Sequence, residues 1–395
     1  MNTVLIAIIA RNKGHFLPLY LDGITNLDYP KNSIHIYIDT NNNNDNTEAL
    51  LKEWARVNDG QYASIHFNIH QAPELANDDG RPHSWNETRT GVLSKIREAS
   101  LRYSELLNVD YYFTADCDNI VSPHTLKHLI AQDKPFIAPM LESYPYPYSL
   151  ATTFLDLENP NDLSGLYTFI KTETKVGTPH FFDIRFRKKI GTFSVAIIHA
   201  TYLIRKDVIS KLSYIDPEDK IKWEYITLCV SAIKNNIDRY VCNERLFGVH
   251  CQWDGLTLEE EHLKFSLHEP LIRLRLDQYK NPIQEEHTFK YAHSSFRPRD
   301  YTPVQEFLNQ NPSIQTIIEL GCGPWTPEKA KLFSGKRYLG IDCVYDIIFN
   351  NKQYESDHIH FLHSLSEPLL PYLNTDLCIT SSKRGYVASK YTLEI

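Results

Sequence analysis

The chain has 395 residues, 42% of them hydrophobic and 23% charged, which is ordinary for a globular protein and long enough for two cores. With 49 acidic and 41 basic side chains the net charge is -8, which argues against a general nucleic-acid binder. The 7 cysteines are scattered without a CxxC pair, so a structural zinc site is not expected and a reducing compartment is.

The apolar run Val4–Ala10 reads as a strand buried on both faces. It is too short to cross a membrane and lacks the basic lead and cleavage site of a secretory signal. No membrane span is expected, and a cytoplasmic or otherwise intracellular location is. Arg11 to Gly14 form a polar stop. Residues 34–39 are a second strand, and the Asn-rich stretch 41–44 leads to Asp45 and Thr47 as caps of a helix over 48–57. A strand is expected at 63–69 and a helix at 88–106. Residues 110–115 form a strand running into Asp116-Cys117-Asp118-Asn119. A helix at 124–132 and a strand at 135–140 follow. Residues 144–190, rich in Tyr, Pro and charge, read as a long excursion or lid. The apolar stretch 193–204 resumes the core, followed by a helix at 222–234 and a strand at 239–242. Polar residues 275–302 read as a linker, and a second β/α unit starts at 314.

Strands alternating with helices imply an α/β fold with a mostly parallel sheet, whose ligands bind beyond the strands' carboxyl ends. Arg11-Asn12 and Asp116-Cys117-Asp118 both fall at such ends. In extended geometry residues i and i+2 face one side. Asp116 and Asp118 can then meet one cation while Cys117 faces the core. Hard carboxylate oxygens suit Mn2+ or Mg2+ sharing its shell with a diphosphate.

The strings Val4-Leu5-Ile6-Ala7 through Ala10-Arg11-Asn12, Leu27-Asp28-Tyr29-Pro30, Asp45-Asn46-Thr47, Asp116-Cys117-Asp118-Asn119, Ala138-Pro139-Met140-Leu141-Glu142-Ser143 and Cys242-Asn243 carry a family resemblance. In this order they resemble the N-terminal module of the procollagen galactosyltransferases (glycosyltransferase family 25) and the related glucosyltransferase module of multifunctional lysyl hydroxylases. The resemblance covers about residues 1–255. It implies a GT-A fold, a Rossmann-like mixed sheet flanked by helices. It also implies transfer of a hexose from UDP-galactose or UDP-glucose, with Mn2+, to a protein or glycan hydroxyl, in the family hydroxylysine of collagen-like chains. Ala10, Arg11 and Asn12 would then lie near base and ribose. Trp85, Arg89 and Lys95 match a W-x-x-x-R and following Lys, placing them toward the diphosphate or donor pocket. Asp116, Asp118 and His250 would hold the metal, and His199 would line the pocket. Glu142 would contact acceptor or donor sugar. Where the family often has Phe-Asp-Asp, this chain has Trp223-Glu224-Tyr225. Glu224 keeps one carboxylate, a candidate general base for the acceptor hydroxyl.

A strand ending in Glu319-Leu320-Gly321-Cys322-Gly323 resembles the first motif of S-adenosylmethionine-dependent methyltransferases. Glu319, Gly321, Gly323 and Asp342 are the candidate cofactor contacts on that resemblance, and Asp376 resembles a later strand motif. The remaining chain is roughly half of such a domain, and the tail from Ser381 lacks the apolar pattern expected next. A small incomplete Rossmann-like unit follows, too short to be expected to methylate. The expected organisation is a GT-A domain at 1–275, a linker at 276–302 and a partial methyltransferase-like domain at 303–395. Two alternatives stand beside the glycosyltransferase: a methyltransferase with a supporting first domain, and a non-catalytic module that binds sugar nucleotides.

Overall fold

The computed structural model describes residues 2–144 apart from 77, then 154–155, 160–162, 184, and 189–280 apart from 219, 220, 222 and 254. It further describes 301–342 apart from 321, 323 and 324, then 351, 353–363, 374–380 and 388–394. The chain divides into two compact units between Asn281 and Pro282.

The first unit opens with β1 (Val4–Ala10). Its alternate side chains enter two different cores: Val4, Ile6, Ile8 and Ala10 pack in one cluster, Leu5 and Ala7 in another. Both faces are thus dry, as the unbroken apolar run requires. Next come α1 (Leu17–Thr25), β2 (Ile34–Asn41), α2 (Thr47–Asn58), β3 (Ser64–His70), α3 (Glu87–Leu106) and β4 (Tyr111–Ala115). Apart from α1, for which no span is read from the sequence, these lie within a few residues of the expected spans. Then follow β5 (Asn119–Val121), α4 (Thr125–Ala131), β6 (Phe136–Pro139), β7 (Glu142–Tyr144), β8 (Phe154–Leu155), β9 (Thr192–Ser194), β10 (Ile197–Ile198) and β11 (Thr201–Arg205). The unit ends with α5 (Lys206–Ile209), α6 (Glu224–Lys234), β12 (Tyr240–Cys242), β13 (Gly248–Cys251) and α7 (Leu258–Lys280).

The main sheet has eight strands in the order β3-β2-β1-β4-β11-β6-β12-β9. β1 to β4 are mutually parallel, β11 runs against both β4 and β6, and β9 runs against β12. This is the helix-flanked mixed sheet that the resemblance implies. A second, three-stranded sheet, β5-β13-β7, stands at the carboxyl end of β4.

The apolar stretch 193–204 resumes the core as three strands, β9, β10 and β11, which join different partners. Two expectations need correction. The linker does not begin at 276, because α7 continues to Lys280. Pro270 and dense charge hide this helix from a periodicity reading. Asp45 and Thr47 do not cap α2 by side chain; Asn46 holds the cap position without a side-chain bond. Asp45 instead accepts from the Thr47 N–H at 3.0 Å and the Gly14 N–H at 2.9 Å, tying α2 to the β1–α1 turn. Most of the excursion at 144–190 and of the linker lies outside the described residues.

The second unit contains α8 (Thr302–Gln310), β14 (Thr316–Leu320), α9 (Pro327–Leu332), β15 (Arg337–Asp342), β16 (Ile359–His363), β17 (Asn374–Thr380) and β18 (Ala388–Glu394). All five strands are parallel, in the order β16-β15-β14-β17-β18. The polar tail thus yields a strand that its pattern does not announce, as an edge position allows. Among the described residues no helix is long and apolar enough to cross a membrane.

Candidate active site

The carboxyl ends of β1, β2 and β4 meet at one edge of the main sheet. After Ala10, Asn12 takes a left-handed conformation (φ 53), which asparagine tolerates. The Asn-rich loop after β2 braces this turn. The Asn12 N–H donates to Asn43 Oδ1 at 2.9 Å, and Asn12 Oδ1 accepts from the Asn44 N–H at 2.7 Å. The Lys13 N–H donates to Thr47 Oγ1 at 2.7 Å. The stretch read as a strand stop is therefore the scaffold of the β1–α1 turn.

Asp116 and Asp118 do not ride an extended strand as expected. The chain turns there from β4 into β5, with the Asn119 N–H donating to the Asp116 carbonyl at 2.8 Å. Both carboxylates still line one cleft. Cys117 is buried, and its thiol faces the Ile9 carbonyl at 3.4 Å. Asp116 is partly exposed and accepts from Arg97 Nη2 at 2.5 Å. Asp118 is buried and accepts from Lys13 Nζ at 2.9 Å, while its Oδ1 is buried without a hydrogen-bond partner. Burial pushes the Asp118 carboxyl up, but Lys13, His250 and His83 outweigh it and hold it below its usual value.

Ala10, Arg11, Asn12, Lys13, Trp85, Arg89, Arg97, Asp116 and Asp118 line the same cleft. Trp85 is exposed there. Arg89 is largely committed to its own loop. It donates to Asp78 Oδ1 and Oδ2 at 2.7 and 2.8 Å, to Asp79 at 2.9 Å, and to the carbonyls of Arg81 and Ser84. Arg11 closes on the same Asp78 at 2.6 Å. Lys95 is not in the cleft wall; it is exposed on α3 and pairs with Glu74 at 3.1 Å. Glu142 does not line the cleft either, since Arg275 of α7 binds it at 2.7 Å.

Glu224 opens α6 and is buried rather than solvent-facing, with Arg97 Nε 3.7 Å from its carboxylate. Burial pushes its carboxyl up, against the pull of Arg97. Arg97 thus stands between Asp116 and Glu224. His199 packs against Tyr225, ring centroids 5.0 Å apart. Burial, with the charges of His250 and Arg97, holds its imidazole down at about 3, hence neutral.

The model of the glycosyltransferase family 25 N-terminal domain matches residues 1–262. The chain belongs to glycosyltransferase family 25. Human procollagen galactosyltransferase 2 is 33% identical over 252 residues, 62% of this chain and 38% of the relative. The human protein named inactive glycosyltransferase 25 family member 3 is 30% identical over 251 residues, 62% of this chain and 40% of the relative. The chain spans about two-fifths of the length of the curated relatives it matches. A Staphylococcus aureus TarS structure, residues 1–349 with UDP-GlcNAc, is 12% identical with a TM-score of 0.39, covering 72% of this chain and 69% of that one.

Family membership makes the cation question concrete, and the donor set fits a hard divalent ion. Asp118 Oδ1 is an orphaned buried oxygen, and the partly exposed Asp116 shares its cleft. His250 Nδ1 lies 4.0 Å from Asp118 Oδ1. However, Asn119 Nδ2 donates to Thr201 Oγ1, which turns Asn119 Oδ1 toward His250 Nδ1. His250 Nδ1 is thus engaged by Asn119 rather than presented to the carboxylates. Another trio, His128, Cys242 and Glu244, has ligand atoms within 4.8 Å of one another. There His128 Nε2 and Gln132 Nε2 each lie 2.9 Å from Glu244 Oε2, so that oxygen is already satisfied.

Lys13, Arg97 and Glu261 are the residues that sequence reasoning missed. Glu261, on α7, is buried and lies 2.9 Å from His15 and 2.8 Å from His83. It joins the β1–α1 turn to the 78–86 loop. A basic residue directly after Ala10-Arg11-Asn12 was the one available signal for Lys13.

In the second unit, the candidate contacts Gly321 and Gly323 lie outside the described residues, and Asp342 ends β15. Glu319 does not present a free carboxylate. It accepts from the Tyr301 and Tyr338 hydroxyls, and Lys329 Nζ lies 3.3 Å away. It is a buried structural hub, and no comparison supports S-adenosylmethionine.

Proposed function

We propose that the first unit transfers a hexose, galactose or glucose, from a uridine diphosphate sugar to a hydroxyl acceptor, with Mn2+ or Mg2+ held by Asp116 and Asp118. The observation that carries this reading is the orphaned Asp118 Oδ1 beside Asp116 in a cleft at the strand ends. A divalent ion there supplies Lewis-acid charge for the leaving diphosphate. Ala10 and Asn12, on the braced turn after β1, form the wall for the nucleoside. Trp85 offers an aromatic face at the exposed rim. Arg97 holds Asp116 and lies beside Glu224. Glu224, its carboxyl raised by burial, suits taking the proton of an acceptor hydroxyl. The names of the relatives support galactose as donor sugar and a collagen-like acceptor.

Hydrolysis of UDP-galactose and UDP-glucose, with and without Mn2+, tests the reading. Asp118→Ala is expected to lower the Mn2+-dependent rate on the order of 10²–10³. Unchanged hydrolysis removes the metal role of Asp118. A second reading, binding of a sugar nucleotide without transfer, is favoured by one observation: both acids already carry a basic partner, Lys13 and Arg97. UDP binding by calorimetry with no turnover of either donor would select it.

A further inference from the structure

The cleft contains a cation of its own. Lys13 Nζ donates to Asp118 Oδ2 at 2.9 Å, and both side chains are mostly buried. The contact is built from a fixed base. The left-handed Asn12 and the bond from the Lys13 N–H to Thr47 Oγ1 set where the side chain leaves the turn. The ammonium also sits 5.0 Å from the centre of the Phe16 ring, a cation–π distance. Arg97 occupies Asp116 in the same way, at 2.5 Å. Each acid of the pair therefore meets a cation of the chain, and Asp118 Oδ1 is left buried without a hydrogen-bond partner. A divalent ion on Asp118 would stand within a few ångströms of an ammonium in a half-dry site. Coulomb repulsion there sets the two cations against each other on this carboxylate.

Resting on the metal reading of this cleft, we propose that Lys13 is an internal counter-ion that competes with the divalent cation for Asp118. Cation entry displaces the ammonium, which is then free to pair with an anionic diphosphate in the same cleft. Cation and nucleotide diphosphate thereby favour each other's binding, as thermodynamic linkage requires. Binding of either alone is weak, because the cation must first break the Lys13–Asp118 pair.

Calorimetric titration of the full chain with Mn2+, without nucleotide and then with UDP present, tests this. UDP is expected to tighten Mn2+ binding to the unaltered protein. Lys13→Met is expected to tighten nucleotide-free Mn2+ binding by about tenfold or more, the scale of a close charge pair, and to shrink the gain from UDP. Lys13→Gln serves the same purpose if the methionine variant does not fold, with far-ultraviolet dichroism as the check. Asp118→Ala separates the two levels of inference. Mn2+ affinity lost in Asp118→Ala but unchanged or weakened in Lys13→Met overturns the counter-ion and leaves the metal site standing. Mn2+ affinity unaffected by Asp118→Ala, or no Mn2+ binding by any variant, overturns both.

Discussion

Arg11 and Arg89 line the cleft, yet Asp78 engages both guanidinium groups. Burial alone would raise the Asp78 carboxyl; the bonds from Arg89 and Arg11 outweigh it and lower it from 3.8 to about 2. A depressed carboxyl stabilises the fold fully above its unfolded value, and that contribution is lost as pH falls through its folded value. The 78–86 loop should therefore loosen between pH 3.8 and about 2. Trp85, exposed on that loop, is the reporter: its emission should shift across this window. Asp78→Asn should show the shifted spectrum at neutral pH. Trp85 and Arg89, which the W-x-x-x-R pattern singles out, both line the cleft. The pattern does not show that Arg89 is committed to its own loop, because Asp78 and Asp79 become its partners only once that loop folds back.

The small sheet β5-β13-β7 anchors the acid pair from behind, the Cys251 N–H donating to the Asp118 carbonyl at 2.8 Å, and Gly248 permits it. Its φ is 150, and a Cβ there would lie 2.2 Å from the Ile120 carbonyl oxygen, inside the strand it pairs with. Gly248→Ala is expected to part β13 from β5, release His250 from Asn119 and cost about 3 kcal/mol or more, as strained glycine positions do. A lower melting temperature with weakened Mn2+ binding would be the result to look for; an unchanged melt would refute it. These strands are three or four residues long, too short for alternation to show. The long strand β1 and helix α3 repeat their patterns often enough to be read directly. Helix α7 is long but escapes notice, since its buried face, Glu261, Phe265, Ile272 and Leu276, includes a carboxylate while Leu263 and Leu267 off that face are exposed, so the apolar residues do not mark one stripe.

At the scale of the whole molecule the two units differ in what their acids do. Asp118 keeps an oxygen unpartnered, whereas Glu319 is enclosed by two tyrosine hydroxyls and a buried lysine. Glu319→Ala strands Lys329 without its carboxylate and is expected to cost about 3–5 kcal/mol. Loss of protease resistance after residue 301 would register it, and added S-adenosylmethionine should protect neither form. What sequence alone determines here is local: the alternation of strands with helices, the dry strand β1, and an acid pair at the tip of β4. Each follows from side chains a few positions apart, whose pattern the chain states directly. Only the tertiary structure decides the pairings that set the chemistry. Lys13 reaches Asp118 across 105 positions and Arg97 reaches Asp116 across 19. Such contacts form because folding brings distant charges into a common low-dielectric cleft, where each must find a partner, and no local pattern records which one it finds.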